Sequence, residues 1–126
     1  MGGYKKQDEL MGFAFGDETS DIATGTTLLS YQMPNFPTKL KRVSVNLKTA
    51  PTGSSAIFDL NEGGVSVLST KISIDVGEFT SEDAATPSVI SDSVIAENAI
   101  ITLDADQIGS TIAGVAPKMW LYFTRA

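Results

Sequence analysis

The chain has 126 residues, 9 Lys and Arg against 15 Asp and Glu, a net charge of −6, and neither Cys nor His. That length is one domain's worth, enough to bury a core without disulfides or metals. A Ser-His-Asp or Cys-His nucleophile, a CxxC site and an imidazole base are all excluded, and the acidic balance argues against a grip on nucleic acid phosphates.

Met1 to Leu10 is polar, carries charges of both signs and has no apolar period, so residues 1–11 are expected to form an arm ahead of a domain at 12–126. No run approaches the roughly 20 apolar residues that cross a bilayer as a helix, and no secretory pattern is present, so a soluble chain with no membrane partner is expected. Met11 to Gly16 is a short apolar strand, and Asp17 to Thr26 a loop rich in turn formers. Thr27 to Met33 is the next strand, stopped by Pro34 and Pro37, which a central strand does not tolerate.

Thr38 to Asp75 is expected to be a meander. Val43, Val45 and Leu47, with Leu40 loosely in phase, alternate with Arg42, Ser44, Asn46 and Lys48, which predicts a half-buried strand whose polar set faces solvent. Ala50 to Ser54 supplies a Pro and a Gly for a reversal, Ser55 to Asn61 is the second strand, and Asn61-Glu62-Gly63-Gly64 is a second turn. Leu68, Thr70, Ile72 and Ile74 then share a face with Val65 and Val67 out of phase, so a bulge or bend is predicted near Val67 to Leu68. Beyond Gly77 to Pro87 come a short strand at Ser88 to Ile90, a loop or single helical turn at Ser91 to Glu97, a strand at Asn98 to Leu103 and a loop at Asp104 to Gly114. The last strand, Pro117 to Arg125, carries Met119, Leu121 and Phe123 on one face and Trp120 and Tyr122 on the other. Two apolar faces imply burial on both sides or contact with a neighbouring subunit. About eight short strands with no 3.6-residue period predict an all-β antiparallel β-sandwich, specifically a jelly roll.

Asp104 and Asp106 ahead of Gly109 are calcium candidates, since alternate residues can aim oxygens at one centre. Ile108 and Val115 stand where an EF-hand needs an oxygen ligand and a closing Glu, so a solvated turn is the expectation and no cofactor is implied. Asp17, Glu18 and Asp21 form a second acidic cluster, also expected to be solvated. Asp59, Asp75, Asp104 and Asp106 could supply a carboxylate pair, yet nothing singles out two of them, and Asp59 is explained as an outward strand residue. Trp120, Tyr122, Tyr31 and Phe36 could build a stacking platform for a sugar, against the simpler reading of core or interface. Candidate partner contacts are Tyr4, Lys5 and Lys6 in the arm and Met119, Trp120 and Tyr122 in the last strand.

The order of motifs also carries a resemblance. Asp17 and Thr24-Gly25-Thr26 precede Tyr31-Gln32-Met33-Pro34; Val43 to Leu47, Thr49-Ala50-Pro51-Thr52-Gly53-Ser54 and Phe58-Asp59-Leu60-Asn61 follow. Leu68 to Lys71, Ile74-Asp75, Ala85-Thr86-Pro87 and Asp106-Gln107-Ile108-Gly109-Ser110-Thr111 complete the series. From Phe13 to Arg125 this resembles a β-sandwich domain that recurs in virion proteins of tailed bacteriophages, in tail-fibre, minor structural and head decoration proteins. The resemblance implies a non-enzymatic virion protein, made in the bacterial host cytoplasm, that assembles on the particle. The expected assembly is a homotrimer that meets a major capsid or tail protein through the arm. A sandwich with only a short arm fits a capsid decoration or cement protein, and the alternative is a tail-fibre or adhesin module that binds a host-surface glycan.

Overall fold

In a computed structural model the described residues are 8–126, so Tyr4, Lys5 and Lys6 lie outside them. The chain forms β1 (Glu9–Ala14), β2 (Gly25–Gln32), β3 (Thr38–Asn46), β4 (Ala56–Glu62), β5 (Val65–Ser66), β6 (Leu68–Thr70) and β7 (Ile72–Ile74). There follow a 3-10 turn at Ser81–Asp83, then β8 (Val89–Ile90), β9 (Val94–Ile95), β10 (Ile100–Gln107) and β11 (Lys118–Arg125).

One sheet has the order β1-β11-β3-β9, the other β2-β10-β4-β5 with β7 also on β4, and β6 pairs with β8 in a small ribbon. The named ladders are antiparallel. First strand meets last, β2 meets β10, β3 meets β9, and β4 meets the segments at the midpoint of the series. A long hairpin doubled back on itself and wrapped into two facing sheets is the jelly roll that the turn and strand pattern predicts.

The core lies between the sheets. Val43, Val45, Met119, Leu121 and Phe123 line one inner face, and Phe58, Leu60, Leu103 and Ala105 the other. These residues alternate with outward ones, which is why sequence periodicity finds them. Phe15 meets Phe58 edge to face at 5.7 Å inside, and Phe13 meets Tyr31 at 4.5 Å where β1 lies over β2.

The predicted break falls at Val67. Val65 is 71% exposed, whereas Val67 and Leu68 are both buried. The Val67 N–H still donates to Leu60 on β4, but the next strand leaves that sheet for β8. Here the chain crosses between pairings, so the period of two cannot continue.

Three boundaries differ from expectation. Glu9, Leu10 and Met11, assigned to the arm, are paired to Phe123, Tyr122 and Leu121, because Met11 supplies an apolar residue on the core side. The expected loop at Asp104 to Gly114 begins later: β10 continues to Gln107, with Asp104 paired to Asp59 and Asp106 at a register shift within the strand. Ser91 to Glu97 contains β9, while the helical turn is at Ser81–Asp83, where the Thr80 hydroxyl accepts from the Glu82 N–H.

Two turns close one end of the sandwich together. Thr52 N–H donates to the Ile112 carbonyl, Thr111 N–H to the Thr52 carbonyl, Ile112 N–H to the Thr52 hydroxyl and the Ser54 hydroxyl to the Ile108 carbonyl. Gly53 sits at φ 84 against Ser110 and Thr111, where a side chain would collide. The segments Ala50 to Ser54 and Ile108 to Ile112 are thus one clasp.

Leu121 is at the centre of the inner face and fully buried. Leu121→Ala is expected to cost about 2–5 kcal/mol, measured by denaturant unfolding, because the rigid surroundings leave a cavity.

Candidate functional site

The outer face of the four-stranded sheet gathers the aromatic residues of the last strand. With Met119, Leu121 and Phe123 turned inward, Trp120 and Tyr122 project outward and are half-buried. The ladders bring Gly12 beside Trp120 and Leu10 beside Tyr122 on one flank, and Ser44 and Arg42 on the other.

Trp120 is fixed at two points. Its Nε1–H donates to Asn46 Oδ1 at 2.8 Å, and its ring lies over Gly12, where any Cβ would collide with it. Tyr122 is covered on one side by the Arg42 guanidinium, 4.2 Å from the ring centroid, an arrangement that favours the cation over the π face. Arg42 in turn pairs with Glu82 at 2.8 Å. Ser81 anchors that turn, accepting at its hydroxyl from the Val45 N–H at 3.0 Å and sharing a 3.3 Å hydrogen bond with the Ser44 hydroxyl. Ser44 and Asn46 are therefore working groups, one buried against Ser81 and one holding the indole, not the purely solvent-facing residues expected. Leu10, at 54% exposure, completes an aromatic and aliphatic strip rimmed by Arg42 and Glu82.

The four-residue aromatic platform does not form. Tyr31 packs on Phe13 at the sandwich edge, and Phe36 lies under Arg125, 3.8 Å from its guanidinium carbon. Met119, named as a contact residue, is fully buried in the core, because strand alternation separates it from Trp120. Only Trp120 and Tyr122 of the predicted last-strand contacts reach the surface. Leu10, Gly12 and Arg42 carry no signal in the sequence: Leu10 reads as an arm residue, and the roles of Gly12 and Arg42 exist only through cross-strand register.

The acidic residues on the opposite sheet are structural ties. Asp104 Oδ1 accepts from the Thr27 N–H at 2.8 Å and Oδ2 from Asn61 Nδ2 at 3.0 Å. Thr27 has φ 55 at a register shift between β2 and β10, so the carboxylate satisfies an N–H that the ladder loses at the bulge. Asp106 pairs with Lys71, whose ammonium is held above its ordinary range, mainly by that hydrogen bond. Asp59 points outward as expected yet is only 7% exposed, and it accepts from the Ser66 hydroxyl at 2.6 Å. Three of the four carboxylate oxygens of the two calcium candidates thus already serve Thr27, Asn61 and Lys71. Among the described residues no three His, Cys, Asp or Glu converge as a metal site.

Two carboxylates of the second acidic cluster are also engaged. Asp17 accepts from the N–H groups of Thr19 and Ser20 and Glu18 pairs with Lys118 at 2.9 Å, while Asp21 is held through its backbone in a bridge with Val115. Beside Asp17 lies a cleft of about 210 Å³ lined by Phe15, Ile22, Leu28 and Pro117, below the roughly 300–1,000 Å³ usual for a small-molecule site.

No protein-family model, curated protein or solved structure matches this chain. The residues themselves therefore carry the functional argument.

Two outcomes test this geometry. In Gly12→Leu the new side chain displaces the indole, so Trp120 emission is expected to shift to the red and stability to fall by about 1 kcal/mol with the lost Asn46 hydrogen bond. Backbone hydrogen bonds from Ser20 and Thr19 lower the Asp17 carboxyl from 3.8 to about 2. Its contribution to stability is complete above 3.8 and lost as pH falls through about 2. An NMR titration of Asp17 should give that low midpoint, and Asp17→Asn should lose less stability than wild type over the same acid range.

Proposed function

We propose that this chain is a non-enzymatic bacteriophage virion protein, a capsid decoration or cement protein that assembles as a homo-oligomer on the particle. The observation that carries the reading is the rigid outer strip of Leu10, Trp120, Tyr122 and Arg42. It combines an indole, a phenol, an aliphatic side chain and a guanidinium, the residue types that dominate protein contact surfaces. Each aromatic is held before any partner arrives, so little side-chain entropy remains to be lost on binding.

The assignment to a virion comes from the motif order, supported by fold-level analogy, because jelly rolls recur in viral coats. A jelly roll equally hosts lectins, so the fold does not separate the cement reading from glycan attachment. The strip favours protein contact. The indole N–H, the hydrogen-bond donor with which Trp120 could orient a sugar hydroxyl, already serves Asn46, and Arg42 covers one side of Tyr122. The carboxylates that would aid sugar binding are on the other sheet and tied to protein groups. Tyr4, Lys5 and Lys6 supply a second, basic contact toward a capsid or tail protein in this reading.

Quantitative labelling of purified particles tests the assignment. The protein should be present in many copies tracking the capsid, and particles lacking it should lose resistance to heat or low salt. Tyr122→Ala combined with Arg42→Ala should weaken particle binding tenfold or more, roughly the loss of one interface anchor, while the variant stays folded. Lys5→Glu with Lys6→Glu should weaken it through charge alone. Particles that carry no copies, or that bind the variants as well as wild type, reject the reading. Binding to a glycan array at the Trp120 strip would favour the attachment alternative.

A further inference from the structure

We propose that β1 is a self-association strand: two copies of this chain pair β1 with β1, antiparallel, about a two-fold axis at Gly12, joining their four-stranded sheets into one. This rests on the homo-oligomeric part of the reading above and specifies its contact, with two-fold symmetry in place of the three-fold assembly that the resemblance implies.

β1 ends its sheet, and among the described residues it pairs only with β11. One side of the strand therefore presents backbone N–H and C=O groups to another strand. β2 ends the other sheet, and the Phe13–Tyr31 contact puts both edges on the same side of the sandwich.

Charge selects the occupant. Leu10 to Gly16 and Ile22 to Thr38 contain no charged residue, and these stretches include all of β2 and all of β1 except Glu9. The strands at the far side are flanked by Glu62, Lys71, Asp75 and Asp92. Two chains of net charge −6 repel one another, and the Leu10 to Ala14 edge lets two backbones pair without setting carboxylate against carboxylate, Glu9 and Asp17 lying outside the paired stretch. Natural edges are usually protected by a Lys, a Pro or an inward charge, and Leu10 to Ala14 has none of these.

Register makes the strand self-complementary. Residues opposite each other in a ladder share a face. An axis at Gly12 sets Leu10 against Ala14 and Met11 against Phe13 of the second copy, so outer residues meet outer residues and core-facing residues meet core-facing ones. A one-residue slip would put Leu10 against Phe13 and mix the faces. Glu9 falls opposite Phe15, beyond the paired stretch. Gly12, without a side chain, lets the Trp120 ring lie over the strand at the edge, so the axis brings the two indoles together over the seam with Leu10 beside them.

The full chain should sediment and scatter light as a dimer, twice its 13.3 kDa mass, at micromolar concentration. Emission from its single Trp should move to the blue as concentration rises. Leu10→Lys puts a charge on the seam and should raise the dimer dissociation constant about tenfold or more. Val65→Lys, a change at a still more exposed position on the other sheet's far edge, should leave it unaltered. Circular dichroism should show both variants folded, since each position is exposed. Register is tested by oxidation: Leu10→Cys with Ala14→Cys should yield a covalent dimer, because opposed Cβ atoms lie about 4.5–5.5 Å apart, whereas Leu10→Cys alone should not. A monomer, a trimer, a Leu10→Lys dimer as tight as wild type, or no double-cysteine cross-link overturns the edge contact. The particle-labelling result stands or falls separately, so failure here is distinguishable from failure of the virion assignment.

Discussion

Alternation along β11 is the constraint on which the rest of the molecule depends. The last strand lies between β1 and β3, so both its backbone edges are committed and its side chains have only two directions. Met119, Leu121 and Phe123 must enter the core, and Trp120 and Tyr122 must then leave it. An outward indole over open water would be a liability, and its neighbours make it an organised surface. Gly12 gives the ring a floor, Asn46 takes its N–H, and Arg42 covers Tyr122 under the restraint of Glu82. One strand's periodicity therefore builds the core and the candidate contact face at once.

Much of the fold was legible because jelly-roll strands are half-buried and obey a period of two. The apolar phase of Val43 to Leu47 and of Met119 to Phe123 identified inner-face residues directly, and the phase conflict at Val67 located the strand crossing. What was not legible is what depends on partners distant in sequence. Glu9 and Leu10 look like arm residues until Phe123 and Tyr122 pair with them. Asp104 and Asp106 look like loop residues, since a strand with Asp at alternate positions is unusual unless other groups hold the carboxylates. Ser44 and Asn46 look solvated because nothing local announces Ser81 or Trp120 as their partners. The contact face was legible only at Trp120 and Tyr122, and the other half of it, Leu10, Gly12 and Arg42, is created by register.

The clasp between Ala50–Ser54 and Ile108–Ile112 explains why two motifs far apart in sequence occur together. Thr52 gives and receives backbone hydrogen bonds with the second segment and adds its hydroxyl, while Ser54 reaches Ile108. Gly53 needs a positive φ, and no Cβ fits there or at Gly109. These residues are selected by the closure of one end of the sandwich. A resemblance built on them speaks to fold more strongly than to activity, and for that reason the protein-contact part of the functional reading rests on the aromatic strip.

The two outer faces make opposite use of their polar and aromatic groups. On the β2-β10-β4 sheet the conspicuous carboxylates are consumed internally: Asp104 repairs the bulge at Thr27, Asp106 holds Lys71, and Asp59 is covered by Ser66. A ligand that needed them would have to break hydrogen bonds worth about 1.5–3 kcal/mol each where the group is charged. On the β1-β11-β3 sheet the indole N–H of Trp120 is spent on Asn46 and Arg42 Nη1 on Glu82, which leaves ring faces and the Leu10 side chain outward. That surface offers apolar area and one balanced ion pair. A partner matched to it presents packing area of its own, a demand that another protein surface meets better than a sugar or an ion.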